Sequence, residues 1–468
     1  MIFHSLDFVV FLAVVVAVYW RLPRRAQNAW LVGAGYVFYG YVHPWFPILL
    51  GLTTLVDYWA ARGIAEWPGG RRFMLAMSLA VNLGVLGFFK YFNFFAENVG
   101  AVLALVGLDV SAPVLRVILP VGVSFYTFQE LSYTIGVYRG RVEARRSLLD
   151  FATFVSLFPQ LVAGPIERAE RMLPQVERPR RFSWADAEAG LWLVSWGYFK
   201  KLVIADNVGI IANKVFSLSD PTFPVLWAGV FAFAMQIYAD FSAYTDIARG
   251  VARWFGFDLV QNFRHPFLAT GPADFWRRWH LSLSTWFRDF VYIPLGGSRH
   301  GRLREVVNIL VTFLVSGLWH GASWNFVLWG AYHGVLVAGA KGLSNLYAMP
   351  RGLRAALWPA RVAATFVLML LGWLLFRETD ATFLWRDLTL SPWAPRTEYE
   401  MGAYLFLLAA LYSLPLWIHN LWAEWRADRP LERSWPSVTF RAAGAGVALA
   451  IILVFRSRQS LDFIYFHF

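Results

Sequence analysis

Twelve apolar stretches, each approaching the length of a bilayer crossing, recur along this chain at about 6–20, 29–41, 46–61, 73–89, 114–137, 189–211, 225–244, 306–318, 323–340, 362–376, 401–418 and 442–455. Hydrocarbon offers no water to a backbone N–H or C=O, so each crossing must satisfy its own hydrogen bonds, which a helix does. The expectation is therefore an all-α, polytopic integral membrane helix bundle with roughly ten to thirteen embedded segments. Several stretches are short, broken by Gly or Pro, or carry polar groups, and these are expected to re-enter or to lie along the interface.

The balance of residues agrees. With 58% hydrophobic residues, 15% charged and a mean hydropathy of +0.48, the 468-residue chain is far from a soluble domain. The longest polar stretches, at 139–150, 167–188 and 423–437, are loop-sized, so 1–468 reads as one membrane domain. No fixed-period repeat and no pair of similarly interrupted segments is visible, which weighs against an inverted-repeat transporter. The first apolar run lacks the basic start and small-residue cleavage site of a secretory leader and reads as a retained helix. Arg21, Arg24 and Arg25 follow it, which by the positive-inside rule puts that loop in the cytoplasm and the N-terminus outside. The net charge of +12 is mostly arginine flanking apolar segments, which suits anionic lipid headgroups better than nucleic acid. An anionic substrate or a phosphorylated acyl carrier is the second reading of that charge. The chain has no cysteine, which excludes disulfides, thiolate metal sites and a cysteine-bound acyl intermediate.

Polar chemistry concentrates in the middle of the chain. Between Asp274 and Phe290, residues Trp276, Trp279, His280, Leu283, Trp286, Phe287 and Phe290 recur at three- and four-residue spacing, as on one face of an amphipathic helix. Asp274 and Arg278 stand at i,i+4 and are expected to pair structurally. Pro294-Leu295-Gly296-Gly297-Ser298-Arg299 lacks phosphate-loop spacing and reads as a turn. Pro159, Gly164 and Pro165 interrupt another apolar stretch, as expected where backbone lines a protein-walled cavity. Asp240 and Asp246 lack a clustered third and fourth ligand and are expected to bond helix ends or nearby hydroxyls, with no metal bound.

His320, in Ser316-Gly317-Leu318-Trp319-His320-Gly321-Ala322-Ser323-Trp324, is the residue to explain, since an ionisable group in an apolar run is a functional-site hypothesis by default. A neutral imidazole can act as a base near physiological pH; a packing histidine bonded to a carbonyl is the plainer alternative. His333 is equally open to a supporting or a packing role, and His265 beside Pro266 is expected near a membrane edge.

The surrounding motifs favour the functional reading of His320. They are Pro120-Val121-Gly122-Val123-Ser124-Phe125-Tyr126, Asp240-Phe241-Ser242-Ala243-Tyr244-Thr245-Asp246, Asn262-Phe263-Arg264-His265-Pro266-Phe267, Phe275-Trp276-Arg277-Arg278-Trp279-His280 and Gly317-Leu318-Trp319-His320-Gly321. Together they resemble the membrane-bound O-acyltransferase family, in its bacterial branch containing the membrane component of alginate O-acetylation. The resemblance runs from Met1 to about Arg377, with a motif-rich core at about 115–377. It implies a bundle around a tunnel that joins a cytoplasmic acyl-donor side to an outward-facing acceptor pocket. It also implies His320 as the catalytic histidine and His280 as the Asn-or-His position that accompanies it.

The implied function is an inner-membrane O-acetyltransferase that moves acetyl from acetyl-CoA, with no permanently bound cofactor, toward a hydroxyl of an exported polysaccharide such as alginate. Transfer is either direct or relayed by a periplasmic acetyltransferase or export partner. Peptidoglycan O-acetylation and teichoic acid D-alanylation are alternatives within the family; a multi-span transporter and a scaffold of an export complex are the rivals outside it. Thioester transfer needs the attacking hydroxyl deprotonated, and one base suffices for that. His320 is expected as that base and His280 as the residue that orients the donor. Arg277, Arg278, Trp279 and Trp319 are expected to hold the donor or line the tunnel, Trp324 to help exclude water, and Ser323, on helical spacing from His320, is a second-ranked acyl acceptor.

Overall fold

The computed structural model describes all residues except 2, 109–113, 116, 117, 163, 347–349, 427–434, 458–460 and 465–468. Every regular element among the described residues is a helix, and a helix forms at each of the twelve apolar stretches. Four helices, Phe223–Trp254, Arg302–His320, Trp358–Arg377 and Arg396–Arg426, together with the continuous helical run Pro68–Leu105, are long and apolar enough to cross a membrane; Leu6–Tyr19 is apolar but shorter. The chain is an all-α, polytopic membrane bundle. The loop expected at 423–437 falls partly outside the described residues, and up to Arg426 it continues a helix.

The described residues form two compact units. The first comprises Met1–Val194 and Thr245–Val260, and the second Ser195–Tyr244 and Gln261–Phe468. In the first, the outside-in logic of a soluble protein is inverted: helix Arg71–Leu86 buries Ser78 and Asn82 while Phe73 is 63% and Leu83 53% exposed. Its polar groups meet inside a three-helix seam. Asp57, on Phe46–Glu66, accepts hydrogen bonds from Ser78, from Asn82 Nδ2 at 2.7 Å and from Thr134 Oγ1 at 3.0 Å. One turn earlier on Val123–Tyr138, Glu130 accepts from Thr53 at 3.2 Å and Thr54 at 3.0 Å. Buried polar groups in an apolar surrounding must find such partners.

Outside the helices, Glu167 is fully buried; it accepts from the Val260 N–H at 2.5 Å and pairs with Arg171 at 3.2 Å. Burial pushes its carboxyl up to about 7 against the opposing pull of Arg171 and the Val260 N–H.

In the second unit, helix Phe223–Trp254 contributes residues 223–244, almost all of them buried. A π-helical turn at Lys200–Ala205 precedes helix Asp206–Phe216, and another at Arg288–Tyr292 follows Leu281–Phe287. Such one-residue insertions are frequent at functional sites. Helix Ala381–Thr389, capped by Asp380 Oδ1 from the Thr382 N–H at 2.7 Å, buries Leu384 and leaves Trp385 70% exposed, the pattern of a helix lying along an interface.

Candidate active site

The helix expected over 274–290 is broken at its centre. Pro272–Trp276 and Leu281–Phe287 are separate short helices, and His280 stands between them in the left-handed region with φ 44°. The break is held by long-range hydrogen bonds that periodicity does not reveal. Asn262 receives the Leu281 N–H on its carbonyl at 3.0 Å and the Ser282 N–H on Oδ1 at 3.1 Å, while the Arg264 N–H bonds the Arg278 carbonyl at 2.9 Å. Asn262 thus caps the second helix, which gives the Asn262-to-Phe267 motif a physical task. Among the described residues only His265 and His280 adopt positive φ without being glycine, and strain of this kind persists only where the surroundings over-determine it.

His320 is the last residue of helix Arg302–His320 and is 5% exposed. Its ring packs edge-on against Trp319 at 5.0 Å, Trp329 at 5.0 Å and Phe376 at 5.2 Å. Helix Trp324–Leu346 returns against it at close range: a Cβ on Gly317 would collide with the Phe326 carbonyl, and one on Gly330 with the Phe313 carbonyl. His280, fully buried, packs edge-on against Phe241 at 4.7 Å and lies 6.1 Å from Trp319. Trp319 therefore touches both histidines, which the sequence separates by forty positions.

Neither histidine nor Trp319 lines the cavity of 890 Å³ that the neighbouring residues of the same elements enclose, a volume within the range of small-molecule sites. It follows Ile309, Thr312 and Ser316, the helix face whose next step is His320, and it touches Leu283 and Ser284 just after His280. Five cationic side chains line it, Arg277, Arg288, Lys341, Arg354 and Arg361, against one carboxylate, Asp274. Among the five only Arg277 is expected from the sequence; Arg288 follows in the same Asp274-to-Phe290 stretch, and Lys341, Arg354 and Arg361 come from segments farther along the chain.

The remaining expected residues are placed as follows. Arg277 lines the cavity with its side chain 72% exposed. Arg278 pairs with Asp274 at 3.2 Å, as its i,i+4 spacing predicts, and with Glu424 at 2.9 Å. Trp279 is buried in an aromatic cluster with Phe263 at 4.9 Å, Phe275 at 5.6 Å and Trp373 at 4.8 Å. Ser323 is not on helical spacing from His320, because the chain leaves the helix at Gly321 before the next begins at Trp324. Trp324 is 58% exposed. His333 is buried between Trp276 at 5.1 Å and Trp329 at 4.8 Å. His265 Nδ1 lies 3.0 Å from Asn420 Oδ1. Asp240 pairs with Lys201 at 3.1 Å and Asp246 with Arg249 at 3.3 Å.

The profile of the MBOAT, membrane-bound O-acyltransferase family matches residues 141–377, a span that contains both histidines and the whole cavity lining. The chain belongs to this family. Membrane-bound O-acyltransferases similar to it over most or all of its length include the probable alginate O-acetylase AlgI of Pseudomonas putida, 34% identical over 100% of both chains. The probable alginate O-acetylase AlgI of Azotobacter vinelandii is 38% identical over 82% of this chain and 77% of its own. The peptidoglycan O-acetyltransferase of Helicobacter pylori is 33% identical over 77% and 74%. The chain is thus a membrane O-acyltransferase, and acyl transfer is the chemistry its MBOAT site has to perform.

Proposed function

We propose that residues 1–468 act as one membrane domain of the bacterial inner membrane, N-terminus outside, that transfers acetyl from acetyl-CoA or an acyl carrier on the cytoplasmic side toward a hydroxyl of an exported, alginate-like polysaccharide. A periplasmic acetyltransferase or export partner either relays the group or leaves the transfer direct. The observation that carries this reading is the contact of Trp319 with both His280 and His320, on a helix whose preceding turns, at Ile309, Thr312 and Ser316, line a cation-rich cavity.

His320 takes the proton of the attacking hydroxyl as its oxygen bonds the thioester carbon. The tetrahedral intermediate collapses with loss of the thiolate, which receives that proton. His280 orients the thioester carbonyl, and the aromatic rings around both histidines exclude the water that would hydrolyse the donor. Arg277, with Arg288, Arg354 and Arg361, meets the phosphates of the donor. Arg278 supports the donor from outside the cavity lining, through its ion pair with the lining residue Asp274, and Trp279 and Trp319 likewise stand outside that lining.

The test is ester-linked acetate on exported polysaccharide from a deletion strain complemented with wild type or His320→Ala at equal membrane levels. Acetate is expected with wild type and absent with the variant. Equal restoration by both removes His320 from catalysis and favours a scaffold or a transporter.

A further inference from the structure

The second unit contains a buried ion cluster that the acyl-transfer chemistry does not use. Lys201, on the π-helical turn Lys200–Ala205, pairs with Asp206 at 2.9 Å and with Asp240 at 3.1 Å, and all three side chains are at most 2% exposed. Burying one ammonium with two carboxylates in an apolar surrounding is costly unless further hydrogen bonds complete the set. Here they come from the far end of the chain. Lys201 Nζ donates to the Leu461 carbonyl at 2.9 Å and the Asp462 carbonyl at 3.5 Å, and the Ile464 N–H donates to Asp240 Oδ2 at 2.8 Å. Lys201 and Asp240 thus engage the main chain of residues 461–464.

The last two residues of the segment so held are buried. Phe463 is 0% and Ile464 4% exposed, and the Phe463 ring packs on Tyr244 at 4.0 Å and on Phe241 at 5.9 Å. Phe241 is the ring against which His280 rests at 4.7 Å. Gly209 leaves room for the approach, since a Cβ there would stand 2.7 Å from Leu461 Cδ1. A continuous packed path therefore leads from the ion cluster through Phe463 and Phe241 to a histidine whose backbone is strained.

We propose that Lys201 and Asp240 form a main-chain socket for residues 461–464 and are, through Phe463 and Phe241, positioning residues for His280. The inference rests on the assignment of His280 to the reacting site. The socket reads carbonyls and an N–H, so it fixes the path of the segment, while Phe463 supplies the side-chain contact that reaches toward the histidine.

The chain has no cysteine, so one introduced as Ile464→Cys is a unique label. In the full-length protein in detergent, its reaction with a polar maleimide is expected to be slow, at least tenfold faster when Asp240→Asn or Lys201→Met is added, and unchanged by His320→Ala. Phe463→Ala, which leaves the ion cluster intact, is expected to lower kcat of acyl transfer at least fivefold while shifting the donor KM less than twofold. Labelling that neither Asp240→Asn nor Lys201→Met accelerates overturns the socket. Accelerated labelling with wild-type turnover in Phe463→Ala overturns the positioning role. If wild type itself transfers no acyl group, the labelling arm still decides the socket, and the failure belongs to the functional reading.

Discussion

At the scale of single residues, His280 combines two demands that seldom coincide, a left-handed backbone and a fully buried ring. Asn tolerates that backbone better than other non-glycine residues, and a residue with an unassisted Cβ loses about 1–2 kcal/mol there. His280→Asn is therefore expected to keep more thermal stability and more acyl-transfer turnover than His280→Ala; equal losses in both would sink the backbone argument. Glu167 gives a second prediction, with a sign. Its carboxyl is raised to about 7 in the fold against an ordinary value near 4.3, so its contribution is complete below the lower value and is lost as pH rises through the higher one. Apparent unfolding temperature in detergent should fall between those pH values, by the equivalent of up to about 4 kcal/mol, and Glu167→Gln should flatten the decline. A slope that is the same in the variant assigns the pH dependence to other groups. Motif and apolar context single out His320 and His280 in the sequence, and Trp319 contacts both rings in the fold. Glu167 is not singled out, because its burial is set by the distant backbone of Val260.

At the scale of elements, the sequence period was right about helix and wrong about continuity between Asp274 and Phe290. The apolar face implied by Trp276, Trp279, Leu283 and Trp286 is real in composition, but Asn262 captures the Leu281 and Ser282 N–H groups and so starts a new helix there. A cap supplied from outside the window is invisible to spacing. Asn262→Ala is expected to lose about 1–2 kcal/mol of stability and to reduce turnover further through the displaced His280, measured by thermal unfolding and acyl transfer on the same preparations. The close crossing of Arg302–His320 on Trp324–Leu346 yields another expectation. Gly330→Leu must push Phe313 away, and overpacking of this kind costs roughly 1–3 kcal/mol. Turnover should fall by more than tenfold while the protein remains in the membrane fraction; wild-type turnover in that variant would mean that the crossing tolerates separation.

At the scale of the molecule, hydropathy alone disclosed the all-α membrane bundle, because the bilayer penalises every unsatisfied backbone group and leaves few architectures. The arginines after the first apolar run carry a prediction about topology. A Ser5→Cys label should react with an impermeant maleimide added to intact spheroplasts, and reaction only after lysis would put the N-terminus inside. The polar interior was less legible. Nothing near Lys201 announces residues 461–464, and nothing near Asp57 announces Thr134, since each pairing closes over a long stretch of chain. The Asp57 seam bears on biogenesis. A carboxylate in an apolar surrounding is costly until it is partnered, and the partners of Asp57 arrive in order of synthesis. Ser78 and Asn82 emerge on the very next helix, so the first hairpin can shield Asp57 as soon as both arms leave the translocon. Glu130 emerges later and finds Thr53 and Thr54 already waiting on an inserted surface. The order of the seam along the chain is thus an order of assembly in which no carboxyl group faces lipid alone for longer than one helix takes to follow another.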